Sequence, residues 1–215
     1  MNLHKKICAG LIAAGLFFAM PQMTYAEDVE TDYTEENDSL ANAQNNVPSS
    51  VYTWVLSTAR ANYYFNHQQI NYAVGEDGFI DLNTLIVPTI CIYDEIQKQD
   101  VISKRRWNMQ SLNGYDKLVG RASYLQFKFK EGTVQVTERI DLDDQWGTLD
   151  TDKSGKPVKL HELKKNSVEC KFYRAILFYA KKHNVQIIKH SWGKLSERDK
   201  LLNQSDMPLM QLIVP

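Results

Sequence analysis

Apolar and polar side chains alternate most clearly in the segment 123–140. The turn residues Glu131 and Gly132 divide this segment into two strands in which every second side chain faces the same way. The apolar positions are Leu125, Phe127, Phe129, Val134, Val136 and Ile140. The pattern predicts an antiparallel hairpin with one side facing the core and the other facing water.

Two further segments have strand character. Val51–Ser57 alternates, so that Tyr52, Trp54 and Leu56 share one side, and we expect Trp54 to anchor the core. Downstream, the turn Gly75–Gly78 is typical of a second hairpin.

A third hairpin is expected around Asp150–Pro157, a turn-rich segment that separates residues 146–149 from residues 158–163. Pro88 cannot donate a ladder hydrogen bond, so it indicates an edge, a bulge or an element boundary. Together these segments predict a sheet of at least about five strands.

The strongest helical signal begins at Asn166 or Ser167 and continues to about Lys182. Either residue can cap the first turn, and Glu169 lies three residues after Asn166 in capping-box spacing. A wide apolar stripe, which needs a partner surface, is formed by Val168, Phe172, Ala175, Ile176 and Tyr179. The sequence therefore predicts an α+β fold, in which a mostly antiparallel β-sheet packs against a C-terminal helix.

Four other segments carry weaker signals. Thr89–Lys98 fits either a strand or a short helix, because its apolar spacing suits both. Val185–Ile188 predicts a short strand, and Ser196–Asn203 predicts a short helix. The apolar segment Pro208–Pro215 is expected to dock on the domain or to bind another molecule, since it would otherwise expose much apolar surface.

The N-terminus has the layout of a secretory signal peptide. Lys5 and Lys6 precede a short apolar run, and the small residues Thr24 and Ala26 fit cleavage after Ala26. We expect three regions: a signal peptide (1–26), a disordered acidic leader (27–50) and a single globular domain (51–215). The protein would then be exported, to the periplasm or the extracellular space, with no integral membrane span after cleavage.

Charge is distributed unevenly along the chain of 215 residues, whose formal net charge is -1. The predicted leader contains seven carboxylates and neither lysine nor arginine, so residues 51–215 carry about +4. This excess is milder than that of typical nucleic-acid-binding domains, and an exported protein rarely meets nucleic acid. We therefore expect no nucleic-acid partner.

Two cysteines, Cys91 and Cys170, would remain after Cys8 leaves with the signal peptide. A disulfide between them would close a long loop and, in an oxidising compartment, stabilise the fold by roughly 4 kcal/mol. Both cysteines have apolar neighbours, so two buried free thiols are the alternative.

Asp150–Gly155 resembles the first half of a calcium-binding loop, with Asp150, Asp152 and Ser154 at the first, third and fifth ligand positions. The twelfth position, which should be a bidentate glutamate, is His161. Turn propensity explains the same residues without a metal, and we favour a hairpin turn over a calcium site.

The sequence contains no recognisable catalytic motif. The histidines are scattered, no serine lies in a nucleophile elbow, and neither mature cysteine has a recognisable nucleophile context. The sequence predicts no catalytic, cofactor-binding or metal-binding residue and no cofactor. Lys104–Trp107 is a basic and aromatic cluster with two interpretations. One is a surface that contacts an acidic glycan, a phospholipid surface or an acidic partner segment, and the other is a solvated loop.

A set of residues along the chain has the arrangement of a known group of proteins: Trp54, Ser57, Tyr64–Asn66, Asp150–Gly155, Ser167 and Glu169. Over about Trp54–Lys182 the chain resembles small exported bacterial domains related to surface-adhesin protein E. It departs from that pattern at Gln69, where a small hydroxyl residue is expected. The resemblance implies an envelope-associated binding module that engages host matrix proteins, and it transfers no functional residue.

We therefore expect an exported, non-enzymatic binding or interaction module, either associated with the bacterial envelope or secreted. Its partner is unknown and could be an envelope component or an extracellular protein. Two alternatives remain open, a secreted hydrolase whose site assembles only in three dimensions and a calcium-stabilised extracytoplasmic domain.

Overall fold

The computed structural model describes residues 47–204, and its main element is one antiparallel sheet of eight strands. The strands are β1 (Tyr52–Ser57), β2 (Ala61–Asn66), β3 (Asn71–Val74), β4 (Ile80–Tyr93), β5 (Leu118–Lys128), β6 (Thr133–Asp143), β7 (Thr148–Asp152) and β8 (Val158–Lys159). The helices are α1 (Glu95–Trp107), α2 (Val168–Lys182), α3 (Asn184–His190) and α4 (Glu197–Gln204). The predicted α+β class, with an antiparallel sheet and C-terminal helix, is confirmed.

The strands follow the spatial order β1-β2-β4-β5-β6-β7, while β3 pairs with β4 and β8 pairs with β6. Strand β4 is long enough to change partners along one side. Its residues 80–86 pair with β3, and its residues 89–93 pair with β2. Pro88 lies inside β4 at this change of partner, where the ladder on that side is interrupted, rather than at an element boundary.

Helix α2 covers one face of the sheet, which we call the helix face. The Ser167 hydroxyl caps α2 by accepting the backbone N–H of Cys170, at 3.2 Å. Ile176 and Ala180 are fully buried against the sheet, as is Phe127 of β5. Burying one large apolar side chain such as Ile176 contributes about 2–3 kcal/mol to the free energy of folding. Phe172 and Ile176 of the predicted stripe lie in the core, so this stripe is the surface by which α2 packs on the sheet.

Helix α1 packs beside the end of β4, where Val101 joins a small apolar cluster with Tyr115. Asp94 caps α1 by accepting the backbone N–H of Gln97 at 2.6 Å. The segment Thr89–Lys98, which fitted both a strand and a helix, therefore contains the end of β4 and the start of α1.

The prediction that Trp54 anchors the core is wrong, because its side chain is 40% exposed. The register of β1 against β2 shifts between Trp54 and Leu56. Such a bulge inverts the alternation of a strand. It brings Leu56 to the same side as Val55, which is 6% exposed and lies in the core. Trp54 pairs with Tyr64 and therefore projects from the opposite side of the sheet.

Two further predictions are corrected. Val185–Ile188 lies in helix α3 and not in a strand; Ile187 and Ile188 are adjacent and both buried, which one side of a helix allows. The segments on either side of Asp150–Pro157 do not form a hairpin with each other. Strands β7 and β8 instead pair with different parts of β6.

Other local predictions are confirmed. The turns at Gly75–Gly78 and Glu131–Gly132 connect paired antiparallel strands. Helix α4 follows Ser196, whose hydroxyl accepts the backbone N–H of Asp199 at 3.1 Å. The predicted signal peptide, residues 27–46 of the predicted leader and the segment 208–215 lie outside the described residues.

Candidate functional site

A cavity of about 130 Å³ opens on the helix face, beneath the first turn of α2. We call it the Cys91 cavity. Apolar side chains, including Leu125 and Phe172, form much of its wall. The polar side chains that line it are Tyr63, Thr89, Cys91, Arg121, Ser123, Glu169 and Tyr173.

Strand register builds the floor of this cavity. Tyr63 of β2 pairs with Cys91 of β4, Cys91 pairs with Arg121 of β5, and Arg121 pairs with Asp141 of β6. Directly paired residues in a sheet project from the same face. The four side chains therefore form one row across four strands, although they are distant in sequence.

Arg121 is fixed at one end of the cavity by a carboxylate. Its Nε donates to Asp141 Oδ1 at 2.8 Å, and the Tyr115 hydroxyl donates to Asp141 Oδ2 at 2.9 Å. Both oxygens of the buried Asp141 are thereby satisfied, as a buried carboxylate requires. The two terminal nitrogens of Arg121 have no hydrogen-bond acceptor among residues 47–204.

Cys91 is a protonated thiol in this setting. Burial raises its pKa to about 12, and this outweighs the opposing effects of a hydrogen bond with the Tyr63 hydroxyl and of the Arg121 charge. Burial also raises the pKa of Tyr63. Both groups therefore stay protonated near neutral pH. Since the thiolate is the nucleophilic form of cysteine, Cys91 is not activated for nucleophilic attack.

The remaining lining completes a mixed polar and apolar wall. The Thr89 hydroxyl donates to the backbone oxygen of Ser123 at 3.0 Å. The rings of Tyr63 and Phe172 are 5.6 Å apart, which fits a favourable tilted aromatic pair. Glu169, in the first turn of α2, is exposed at the cavity mouth.

The histidines, which are the usual bases that activate a cysteine nucleophile, lie elsewhere in the described part of the chain. The His67 ring bonds the Thr53 hydroxyl at 3.2 Å, the His183 ring stacks on Tyr179 at 4.2 Å, and none of the four described histidines lines the Cys91 cavity. The structure therefore brings no histidine together with Cys91.

The cavity is not recognisable as a site in the sequence. The sequence predicts for Cys91 either a disulfide or a buried free thiol, and Arg121 lies just before the strand predicted from residue 123. One signal was present, since Arg121 continues the alternation of Ser123, Leu125 and Phe127 on β5. A cation on the core side of a strand requires a buried partner or a ligand.

The predicted disulfide is not formed, because Cys91 and Cys170 are both free. Cys91 lines the cavity from β4. Cys170 is buried in the first turn of α2, where its backbone N–H bonds the capping Ser167. The two cysteines thus have different surroundings, and the alternative of two free thiols is the one observed.

The segment resembling a calcium loop has its carboxylates paired with arginines. Asp150 accepts from Arg105 Nη1 at 2.6 Å, and Asp152 accepts from Arg139 Nη1 at 3.3 Å. Both carboxylates lie on β7 rather than in a loop. Within residues 47–204, no group of three or more histidine, cysteine or acidic residues is placed to hold a metal ion.

The basic and aromatic cluster Lys104–Trp107 is the last turn of α1 and not a solvated loop. Arg105 turns inward, with its guanidinium 4.2 Å from the centre of the Tyr115 ring. Trp107 points outward and is 87% exposed. The cluster thus divides into a structural cation and exposed side chains.

No protein-family model, curated protein or solved structure matches this chain. The resemblance to domains related to surface-adhesin protein E therefore stays a prediction. Among the helices of the described part of the chain, none has both the length and the apolar character needed to span a bilayer.

Proposed function

We propose that this protein is an exported, non-enzymatic binding module of the bacterial envelope, periplasmic or extracellular, and that the Cys91 cavity is its ligand site. Export is supported by the signal-peptide layout of residues 1–26. Binding is supported by Arg121, whose terminal nitrogens are unused donors beside an apolar wall.

The chemistry of the lining favours binding over catalysis. General acid–base catalysis needs a group that exchanges protons near the working pH. Cys91 and Tyr63 stay protonated at neutral pH, and Arg121 is held by Asp141. Of the lining residues, only Glu169 is an acid, and it lies exposed at the mouth.

The dimensions and donors define the ligand class. A volume of about 130 Å³ is smaller than that of a drug-sized pocket. The site suits a small molecule or one group of a larger partner. A carbonyl or carboxylate of that ligand would accept from Arg121, and its apolar part would pack against Leu125 and Phe172. An arginine fork binds a carboxylate well because two N–H groups donate in parallel.

Native mass spectrometry after incubation with low-mass molecules from a bacterial envelope extract tests this proposal. We expect the wild type to retain a ligand and Ser123→Phe, which fills the cavity, to lose it. Gln126→Phe is the matched control, because Gln126 is on the same strand but three residues away and therefore on the opposite face. The protein recovered from the periplasm or medium should begin at Glu27.

Two results would contradict the proposal. Equal ligand retention by Ser123→Phe and by the control would show that the ligand binds elsewhere. Turnover of an ester, peptide or glycoside by the wild type, lost in Ser123→Phe and kept in Gln126→Phe, would establish an enzyme.

A further inference from the structure

The outward side of α2 carries a dense row of cations. At 100° per residue, five exposed positions fall within a sector of about 100° centred on Phe178. We call this set the basic stripe: Lys171, Arg174, Phe178, Lys181 and Lys182. The sector contains no carboxylate, and Phe178 is 59% exposed at its centre.

The stripe is the focus of a wider charge asymmetry. Residues 164–200 contain ten lysines and arginines and three carboxylates, a net charge of +7. None of the four cations of the stripe makes an ion pair with a described residue, whereas nine lysines and arginines elsewhere in the described chain do. The stripe therefore presents uncompensated positive charge to the solvent.

Helix stability does not account for this arrangement. Lys181 and Lys182 suit the negative C-terminal end of α2, but Lys171 lies in the first turns, near the positive end. Lys171 and Arg174 also repel each other at a spacing of three residues. These positions thus cost stability, which suggests that the charge serves an interaction.

We propose that the basic stripe binds an anionic phospholipid surface. Cations surrounding one exposed aromatic side chain match the boundary between lipid headgroups and acyl chains, where cations meet phosphates and the apolar ring is buried. The following segment has a similar composition, with Trp192, 97% exposed, between Lys189 and Lys194. This surface is separate from the Cys91 cavity, and its proposed role does not depend on a cavity ligand.

Vesicle binding of the full chain tests the lipid proposal. Vesicles containing phosphatidylglycerol are compared with vesicles of phosphatidylcholine alone, at low and high salt. We expect preference for phosphatidylglycerol, weakening with salt, and a loss of roughly fivefold in affinity for each cation removed. The variant K171Q/R174Q/K181Q/K182Q should therefore bind about two to three orders of magnitude more weakly.

The control is K98Q/K128Q/K153Q/K159Q, which removes the same charge from lysines that form ion pairs elsewhere on the surface. It should keep the preference, and any contribution from residues 1–46 is common to all variants. Phe178→Ala should weaken binding at constant charge, while Phe178→Leu should restore much of it. Circular dichroism establishes that each variant is folded.

Equal loss in the stripe variant and the control would overturn the proposal, since only net charge would then matter. Equal binding to both vesicle types would also overturn it. Tighter binding to polyglutamate than to phosphatidylglycerol, with no effect of Phe178→Ala, would assign the stripe to an acidic protein instead of lipid.

Discussion

At the scale of single residues, burial determines the chemistry of the Cys91 cavity. A neighbouring arginine normally lowers the pKa of a thiol because it stabilises the thiolate. Here Arg121 is already paired with Asp141, and the cost of burying a charged sulfur dominates. The same row of side chains in a solvent-filled cleft would favour a reactive thiolate, so the desolvation of this floor is what keeps the Cys91 thiol protonated.

We predict that Cys91 is nearly inert to alkylation in the folded protein. With a pKa of about 12 in place of its ordinary 9.0, the thiolate fraction at mildly alkaline pH falls about 1000-fold. Peptide-resolved labelling with iodoacetamide should modify Cys91 far more slowly in buffer than in urea. Labelling at the same rate in both solvents would mean that the thiol is neither buried nor protonated as described.

At the scale of elements, a capping side chain starts each of the two longest helices, α1 and α2. Helix α2 was predictable because its buried stripe repeats over four turns. Val101 is the one buried side chain of helix α1, so the apolar periodicity of this segment is weak. The available signal is the capping pair Asp94 and Gln97. A short polar helix of this kind depends more on its cap and on tertiary contacts than on its own amphipathicity.

We predict that Asp94→Ala lowers the free energy of unfolding by about 1–2 kcal/mol, because α1 loses its N-cap. Asp94→Asn keeps a capping oxygen and loses only the ion pair with Arg60, whose side chain is 45% exposed, so it should cost less than about 1 kcal/mol. Urea unfolding followed by circular dichroism measures both. Equal losses would show that the Arg60 pair, and not the cap, is the important interaction.

Local pattern predicted the elements better than their pairing. The β5–β6 hairpin and α2 depend on neighbours in sequence, and both are formed. The local alternation of β1 predicts neither the bulge after Trp54 nor which side of the sheet is buried under a helix. The Cys91 cavity was beyond prediction for the same reason, since its lining comes from four strands and one helix and only the register brings these residues together.

At the scale of the whole molecule, Arg105 connects α1 to the far edge of the sheet. Its Nη1 lies 2.6 Å from Asp150 on β7, its Nε donates to the backbone oxygen of Ser111 at 3.0 Å, and its guanidinium covers Tyr115. Tyr115 in turn bonds Asp141, which holds Arg121 in the cavity. A continuous set of polar contacts therefore links the end of α1 to the candidate ligand site.

Acid should weaken this connection between α1 and β7. The hydrogen bond from Arg105 holds the pKa of Asp150 below its ordinary value of 3.8, so the unfolded chain binds a proton more readily than the folded one. The resulting stability is complete above pH 3.8 and is lost as the pH falls through the lower pKa of the folded state. Because the Asp150 side chain is 42% exposed, the effect should be below about 1 kcal/mol.

In urea unfolding at a series of pH values, Asp150→Asn should be less stable than the wild type near pH 7 and approach it at the acid end. Asp144→Asn, which changes an exposed carboxylate without an ion pair among the described residues, should not show this convergence. A gap between wild type and Asp150→Asn that stays constant with pH would mean that the Arg105 pair does not contribute to stability through the charge of Asp150.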